Sequence, residues 1–252
     1  MNLKTTFTPA EFEVLARTDL SQTTCVVFDI LRATSSMITA LANGAEQILP
    51  VATIEEALAA KAEHPEALLC GERDGLRITA AQTGGTEFDL GNSPREYTAE
   101  IVTGKTLIST TTNGTRALRA CSGARKIWVG SFLNLQATID QLRLVKPERL
   151  VLVCSGTFEE AAMEDTLAAG AMADALWDLF GDIEDSAQLA RALHQSHGAN
   201  LEQSIRLAKN ARHLLELPDL AGDVDFCIQR DIYSFTAMLK PSGVVEVSPS
   251  GS

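Results

Sequence analysis

The chain reads as an α/β protein, a largely parallel or mixed sheet with helices on its faces. Three observations predict this. Short apolar runs alternate with amphipathic helical runs through most of the 252 residues. Glycine, proline and capping residues punctuate the joints. Hydrophobic residues make up 45% of the chain, enough for a substantial core.

The elements follow in order. "TCVVFDI" (24–30) is a strand, and "TSSMITALANG" (34–44) a helix ended by glycine. "AEQILPV" (45–51) is a strand, followed by the helix "TIEEALAAKAEH" (53–64), with Thr53 and Glu56 spaced as a capping box. "EALLCGE" (66–72) is a strand. "PREYTAEIVTG" (94–104) has the proline and glycine of a helix start and end. Then come strand "KTLIST" (105–110), helix "TRALRAC" (115–121), strand "KIWVGS" (126–131), helix "LQATIDQLRLV" (135–145) and strand "RLVLVCSG" (149–156). Three helical stretches follow at 159–180, 186–196 and 201–217. The segments 224–240 and 243–247 are ambiguous, with a return to the sheet as one reading. Residues 1–242 are expected to form a single α/β domain and 243–252 a C-terminal tail.

Residues 72–93, "ERDGLRITAAQTGGTEFDLGNS", break the rhythm and hold four glycines. A connection this long in a compact domain is usually functional. Its ends, "GER" and "LGNSP", read as functional and its middle as a surface insertion.

Composition limits the function. A net charge of −12 with no basic stripe sets nucleic acid aside. No apolar run is long enough to cross a bilayer, and the N-terminus lacks the apolar core of a signal peptide. A cytoplasmic protein that binds no membrane is expected. The five cysteines are scattered without metal-finger spacing, so buried free thiols are expected rather than disulfides. Cys154 lacks the "CxxxxxR" loop of a thiol phosphatase. His194 and His197 have no third metal ligand nearby in the sequence.

Ligands of open α/β sheets sit at the carboxyl ends of the strands. After the first strand stand Asp29, Arg32 and Thr34; after the third, Glu72 and Arg73; after the fourth, "STTTNGTR"; after the sixth, "CSGT" and then Glu159, Glu160, Glu164 and Asp165. Each piece has a plain reading: a helix cap, a surface arginine, a solvated acidic face. The acidic pair Glu164 and Asp165, however, sits in an otherwise apolar helix. Carboxylates beside anion-binding groups point to Mg²⁺ and a small anionic phosphorylated substrate.

Taken together, "VVFDILRATSSMITALANGA", "GER", "FDLGNSPREY", "TTTNGTRAL" and "CSGTFEEAAMEDTLAAG", in that order, resemble the 2-phosphosulfolactate phosphatases. These are Mg²⁺-dependent enzymes associated with coenzyme M biosynthesis and found widely in bacteria. The resemblance runs from about residue 24 to "VDFCIQRD". It implies an α/β/α sandwich and hydrolysis of 2-phospho-3-sulfolactate to 3-sulfolactate and phosphate. The chain departs from the pattern in a longer stretch between "GER" and "FDLGNSP", and in Ala168 where a cysteine is expected. On this reading Asp29, Arg32, Glu72 and Arg73 are catalytic, and Asp29, Glu72, Glu164 and Asp165 hold the metal. Asn92, Ser93, Thr111, Thr112, Asn113, Gly114, Thr115, Arg116, Ser155 and Gly156 bind the substrate phosphate.

Phosphate monoester hydrolysis demands accelerations up to ~10²¹, of which acid–base chemistry supplies only about 10²–10⁴. A metal and placed donors are expected to supply most of the rest. Two mechanisms stay open: attack by water, or transient phosphorylation of Asp29. The chain lacks the "DxD" signature of aspartate-based phosphatases, which favours water. Two alternatives also stand: a phosphatase for another small phosphorylated acid, and a non-catalytic anion-binding protein. A homo-oligomer is compatible with either.

Overall fold

The run Thr23–Phe28 is buried at every residue, as a strand covered on both faces must be. Its neighbours in sequence go to opposite sides. Val26 and Phe28 pack with Leu135, Leu142, Leu167 and Met172; Cys25 and Val27 pack with Met37, Ile38 and Leu118. Two cores on two faces of one sheet make the three-layer α/β/α arrangement expected from the alternation. The computed structural model describes residues 1–248.

Among the described residues, eleven strands form a mixed sheet. They are β1 (Asn2–Thr6), β2 (Thr23–Phe28), β3 (Gln47–Val51), β4 (Leu68–Arg73), β5 (Leu76–Arg77), β6 (Thr106–Thr110), β7 (Lys126–Gly130), β8 (Arg149–Cys154), β9 (Asp182–Ile183), β10 (Thr236–Leu239) and β11 (Val245–Ser248). Their order is β5-β4-β6-β3-β11-β10-β7-β2-β8-β1-β9. One parallel block, β7-β2-β8-β1-β9, carries the two main cores. A second parallel block, β3-β6-β4, covers a smaller core of Val51, Ala57, Leu69, Ile78, Phe88 and Ile108. The antiparallel hairpin β10–β11 is wedged between them, β10 against β7 and β11 against β3.

This arrangement positions the site. Through the hairpin the two blocks run in opposite senses, and a flat sheet would send the ends of β2 and β6 to opposite edges. Five pairings separate these strands. At the usual 20–25° of twist each, they accumulate a turn of roughly 100–125°. That turn lets the carboxyl ends of β2, β4 and β6 converge.

Several elements differ from the sequence reading. Residues 2–6 form β1, paired in register with β8. The segment 94–104 is not one helix: a 3-10 turn, Pro94–Glu96, is followed by the short helix Ala99–Val102. Tyr97 leaves the helical region to place its buried hydroxyl on the Gly91 carbonyl, 2.8 Å away. The stretch 201–217 breaks into Leu201–Arg206 and Lys209–Leu215, because Ala208 is extended. The helix beginning in 159–180 starts only at Met163. Glu56 reaches the Ala52 N–H, one residue before the Thr53 cap. The ambiguous end returns to the sheet centre, so residues 245–248 of the expected tail are a strand. Residues 249–252 lie outside the described residues.

Candidate active site

A cavity of about 360 Å³ opens where the two blocks converge. Asp29, Leu31 and Arg32 after β2, Glu72 at the end of β4, and Thr112 and Asn113 after β6 form part of its wall. Gly156 and Phe158 after β8 continue it, and Lys209, Asn210, His213 and Leu214 of the helix Lys209–Leu215 face in from the other side.

Asp29 is held at the start of the helix Ala33–Ala42, its Oδ1 accepting from the Ala33 N–H at 3.0 Å. Burial pushes its carboxyl up to about 7. The charges of Glu72 and Glu164 push the same way, against the Ala33 hydrogen bond and the Arg32 charge. Gly114 is required beside it: a Cβ there would stand 2.8 Å from Asp29 Oδ2 and 2.7 Å from the Ala33 Cβ. Glu72 clamps two loops, accepting from the Thr112 N–H through Oε1 and from the Gly75 N–H through Oε2, both at 2.8 Å. Asn113 occupies the cap position of the helix Gly114–Ala120 but makes no side-chain cap bond. Its Oδ1 is buried without a hydrogen-bond partner. Within this stretch Thr111 and Thr115 bond to each other, Oγ1 of Thr115 donating to the Thr111 carbonyl at 3.0 Å.

The acidic pair in the apolar helix divides its work. Both Asp165 oxygens are occupied by backbone, Oδ1 by the Ile30 N–H at 2.8 Å and Oδ2 by the Gly156 N–H at 3.1 Å. Asp165 ties the loops after β2 and β8 together and is not on the cavity wall. Burial, then the charges of Glu164 and Asp29, push its carboxyl well above the usual range. Glu164 lies behind Asn210, which donates to its Oε1 at 2.6 Å; its Oε2 is buried without a partner. Burial raises its pKa as well. Gly156, in the left-handed region at φ 66°, lets the chain turn where a Cβ would meet the Glu160 carbonyl at 2.5 Å. Ser155 is fully buried, its Oγ unpartnered, and is not on the cavity wall.

The arginines separate more sharply. Arg32 lines the cavity, buried, with one nitrogen on Asp223 Oδ2 at 2.7 Å and another on the Gly75 carbonyl at 2.5 Å. Arg73 turns away, binding the Thr110 carbonyl and, at 3.0 Å, the Thr110 hydroxyl, so it braces β4 against β6. Arg116 is exposed and pairs with exposed Glu159 at 3.3 Å. Neither Arg73 nor Arg116 is on the cavity wall, in contrast to the sequence expectation. Asn92 lines the cavity, whereas Ser93 donates to Asp223 Oδ1 at 2.6 Å.

Sequence reasoning overlooked Asp223, Lys209, Asn210 and His213. Asp223 is fully buried and receives Arg32, Ser93 and Arg95 at once. Nothing in "LAGDVDFC" distinguishes it from Asp225, which is exposed and pairs with Arg206. The one legible signal was the spacing of Lys209 and His213, one helical turn apart.

The residues fit a divalent cation of the Mg²⁺ type. Among the described residues no three His, Cys, Asp or Glu side chains are grouped to hold a metal by themselves. Mg²⁺ does not need them: it takes one or two carboxylates, and waters and substrate oxygens fill the rest. Asp29 and Glu72 supply two carboxylates, and Asn113 Oδ1 is a buried acceptor without a partner. The charges of Glu72 and Glu164 raise the Asp29 carboxyl, and a cation relieves such concentrated negative charge.

The family model described as 2-phosphosulpholactate phosphatase matches residues 11–241. A probable 2-phosphosulfolactate phosphatase of Pseudothermotoga lettingae is 40% identical over 229 residues, covering 90% of this chain and 94% of its own. One from Clostridium acetobutylicum is 38% identical, covering 83% of this chain and 86% of its own, and one from Caldicellulosiruptor saccharolyticus is 37% identical over 84% and 87%. With a buried carboxylate site in the cavity and the match extending over nearly all strands, the chain belongs to the 2-phosphosulpholactate phosphatase family and is a phosphoric monoester hydrolase.

Proposed function

We propose that this chain hydrolyses 2-phospho-3-sulfolactate to 3-sulfolactate and phosphate in the cytoplasm, with Mg²⁺ as cofactor. The observation that carries the proposal is the convergence of Asp29, Glu72 and the unpartnered Asn113 Oδ1 on one cavity. A pure anion binder gains nothing from buried carboxylates facing its ligand.

Asp29 and Glu72 would hold the metal, which when bound supplies charge neutralisation at the phosphoryl oxygens. The protein does the remaining work by placement. Arg32, fixed by Asp223 and Gly75, presents a positive charge to the anion from a set position. Thr112 and Asn113 form the wall beside the phosphate, kept in place by the Glu72 clamp. Leu31, Phe158 and Leu214 add apolar wall that reduces bulk water, which strengthens each of these electrostatic contacts. In net chemistry, water oxygen replaces the ester oxygen on phosphorus, the P–O ester bond breaks, and the alcohol oxygen leaves with a proton. Direct attack by water is the reading adopted, since the "DxD" signature is absent.

Phosphate release from phosphosulfolactate and a panel of small phospho-acids tests this, with EDTA and with Mg²⁺ added back. Chelation is expected to abolish turnover, and Mg²⁺ to restore it. Full activity after exhaustive chelation overturns the metal; preference for another phospho-acid overturns the substrate.

A further inference from the structure

We propose that Lys209 and His213 form the subsite for the sulfonate of the substrate. This rests on the hydrolysis proposed above and adds which residues select the sulfonated acid. The two side chains are one helical turn apart on the same side of Lys209–Leu215, and both line the cavity. Asn210, between them, donates to Thr157 Oγ1 at 2.5 Å and to Glu164 Oε1 at 2.6 Å, which fixes the rotation of the helix about its axis.

The charges come from two sides of the cavity. Asp29 and Glu72 come from β2 and β4, whereas Lys209 and His213 come from the opposing helix. His213 also reaches the turn after Glu72: its Nε2 would lie 3.5 Å from a Cβ on Gly75. Arg32 donates to Asp223 and Gly75, and Arg73 and Arg116 face elsewhere. Lys209 pairs with Glu160 at 2.9 Å, but both are well exposed, and such pairs hold weakly. An incoming anion can therefore take the ammonium over.

The chemistry of the ligand matches. A sulfonate stays ionised, has three acceptor oxygens and needs N–H donors. Lysine offers three donors on a point charge, and an imidazole offers at least one N–H whatever its protonation. Phe158, whose ring centroid is 5.7 Å from Lys209 Nζ, and Leu214 give this end an apolar flank that strengthens the charged contact.

The test compares kcat/KM for 2-phospho-3-sulfolactate and for 2-phospholactate, which lacks the sulfonate, in wild type, Lys209→Ala, His213→Asn and Lys209→Arg. The ratio of the two is expected to fall tenfold or more in the first two variants and to be partly retained in Lys209→Arg. A ratio unchanged in both, whether or not absolute rates fall, overturns the subsite. Wild-type failure on both substrates would instead fault the proposed hydrolysis. Equilibrium dialysis with 3-sulfolactate and lactate then decides the subsite separately. Wild-type preference for 3-sulfolactate that both variants lose supports it, and no such preference overturns it.

Discussion

At the scale of single residues, the contrast between Gly114 and Arg116 is the sharpest. They stand two positions apart in "TTTNGTRAL", and nothing in that string ranks the glycine above the arginine. In the fold, a methyl at Gly114 would press on Asp29 Oδ2 and the Ala33 Cβ, whereas Arg116 points outward to Glu159. Gly114→Ala should displace the carboxylate and lower kcat by about 100-fold, the usual scale for misplacing a reacting group by an ångström. Arg116→Ala should change kcat/KM by no more than about threefold, the scale of a surface substitution. Steady-state kinetics on both variants decide the matter; a large loss at Arg116 with a mild one at Gly114 would reverse the assignment. Cys154 shows the opposite case, a residue the sequence read well. It is fully buried, and burial raises its thiol pKa far above the reactive range, as a structural cysteine requires.

At the scale of elements, the helix Ala221–Cys227 governs the site although it contributes no residue to the cavity wall. Its Asp223 sits between the buried Arg32 and the partly exposed Arg95, and also takes the Ser93 hydroxyl. Removing one partner of a buried pair leaves a charge uncompensated, typically a cost of about 3–5 kcal/mol. Asp223→Ala should lose stability on that scale in denaturant titrations, and Arg32, freed from its anchor, should bind substrate less well. A change under about 1 kcal/mol would show that Arg95 and solvent compensate. The sequence revealed the elements with strong periodicity, such as the helix 135–145, whose observed bounds are the same as those expected. It did not reveal Asp223, because a partner 191 positions away in the chain leaves no local pattern. Nor did it reveal the break at Ala208, since alanine favours helix and only tertiary packing holds it extended. The strand-end residues Asp29 and Glu72 were legible because ligands of open α/β sheets sit at strand carboxyl ends, although here the accumulated twist is what brings the two ends together; Lys209 and His213 arrive on a separate helix, which no strand-end rule covers.

At the scale of the whole molecule, the buried carboxylates set how stability responds to pH. Burial lifts Asp29 from the ordinary carboxylate value of 3.8 to about 7 in the fold, and Glu164 and Asp165 are also raised. A raised acid binds its proton more tightly when folded, so the unfolded chain holds fewer protons between the two pKa values. Stability contributed by these groups is then greatest at low pH and falls as pH rises toward 7. The metal-free protein should melt at a higher temperature near pH 5.5 than near pH 8. Mg²⁺ should raise Tm more at pH 8, where the carboxylates are ionised. Differential scanning calorimetry with and without EDTA checks this; a metal-free Tm that rises from pH 5.5 to 8 would mean that other groups dominate.

The hairpin β10–β11 also imposes an order of events during synthesis. It is encoded after every other strand, yet it occupies the centre of the sheet. While the ribosome extends the chain through residue 235, β3 and β7 each present an unpaired edge, and the two parallel blocks have no strand between them. Unpaired edges are the surfaces on which nascent chains pair wrongly. The cavity, built from both blocks, cannot assume its final shape until residues 236–248 have closed the seam. The hairpin thus acts as a keystone whose late arrival commits the two blocks to their final arrangement.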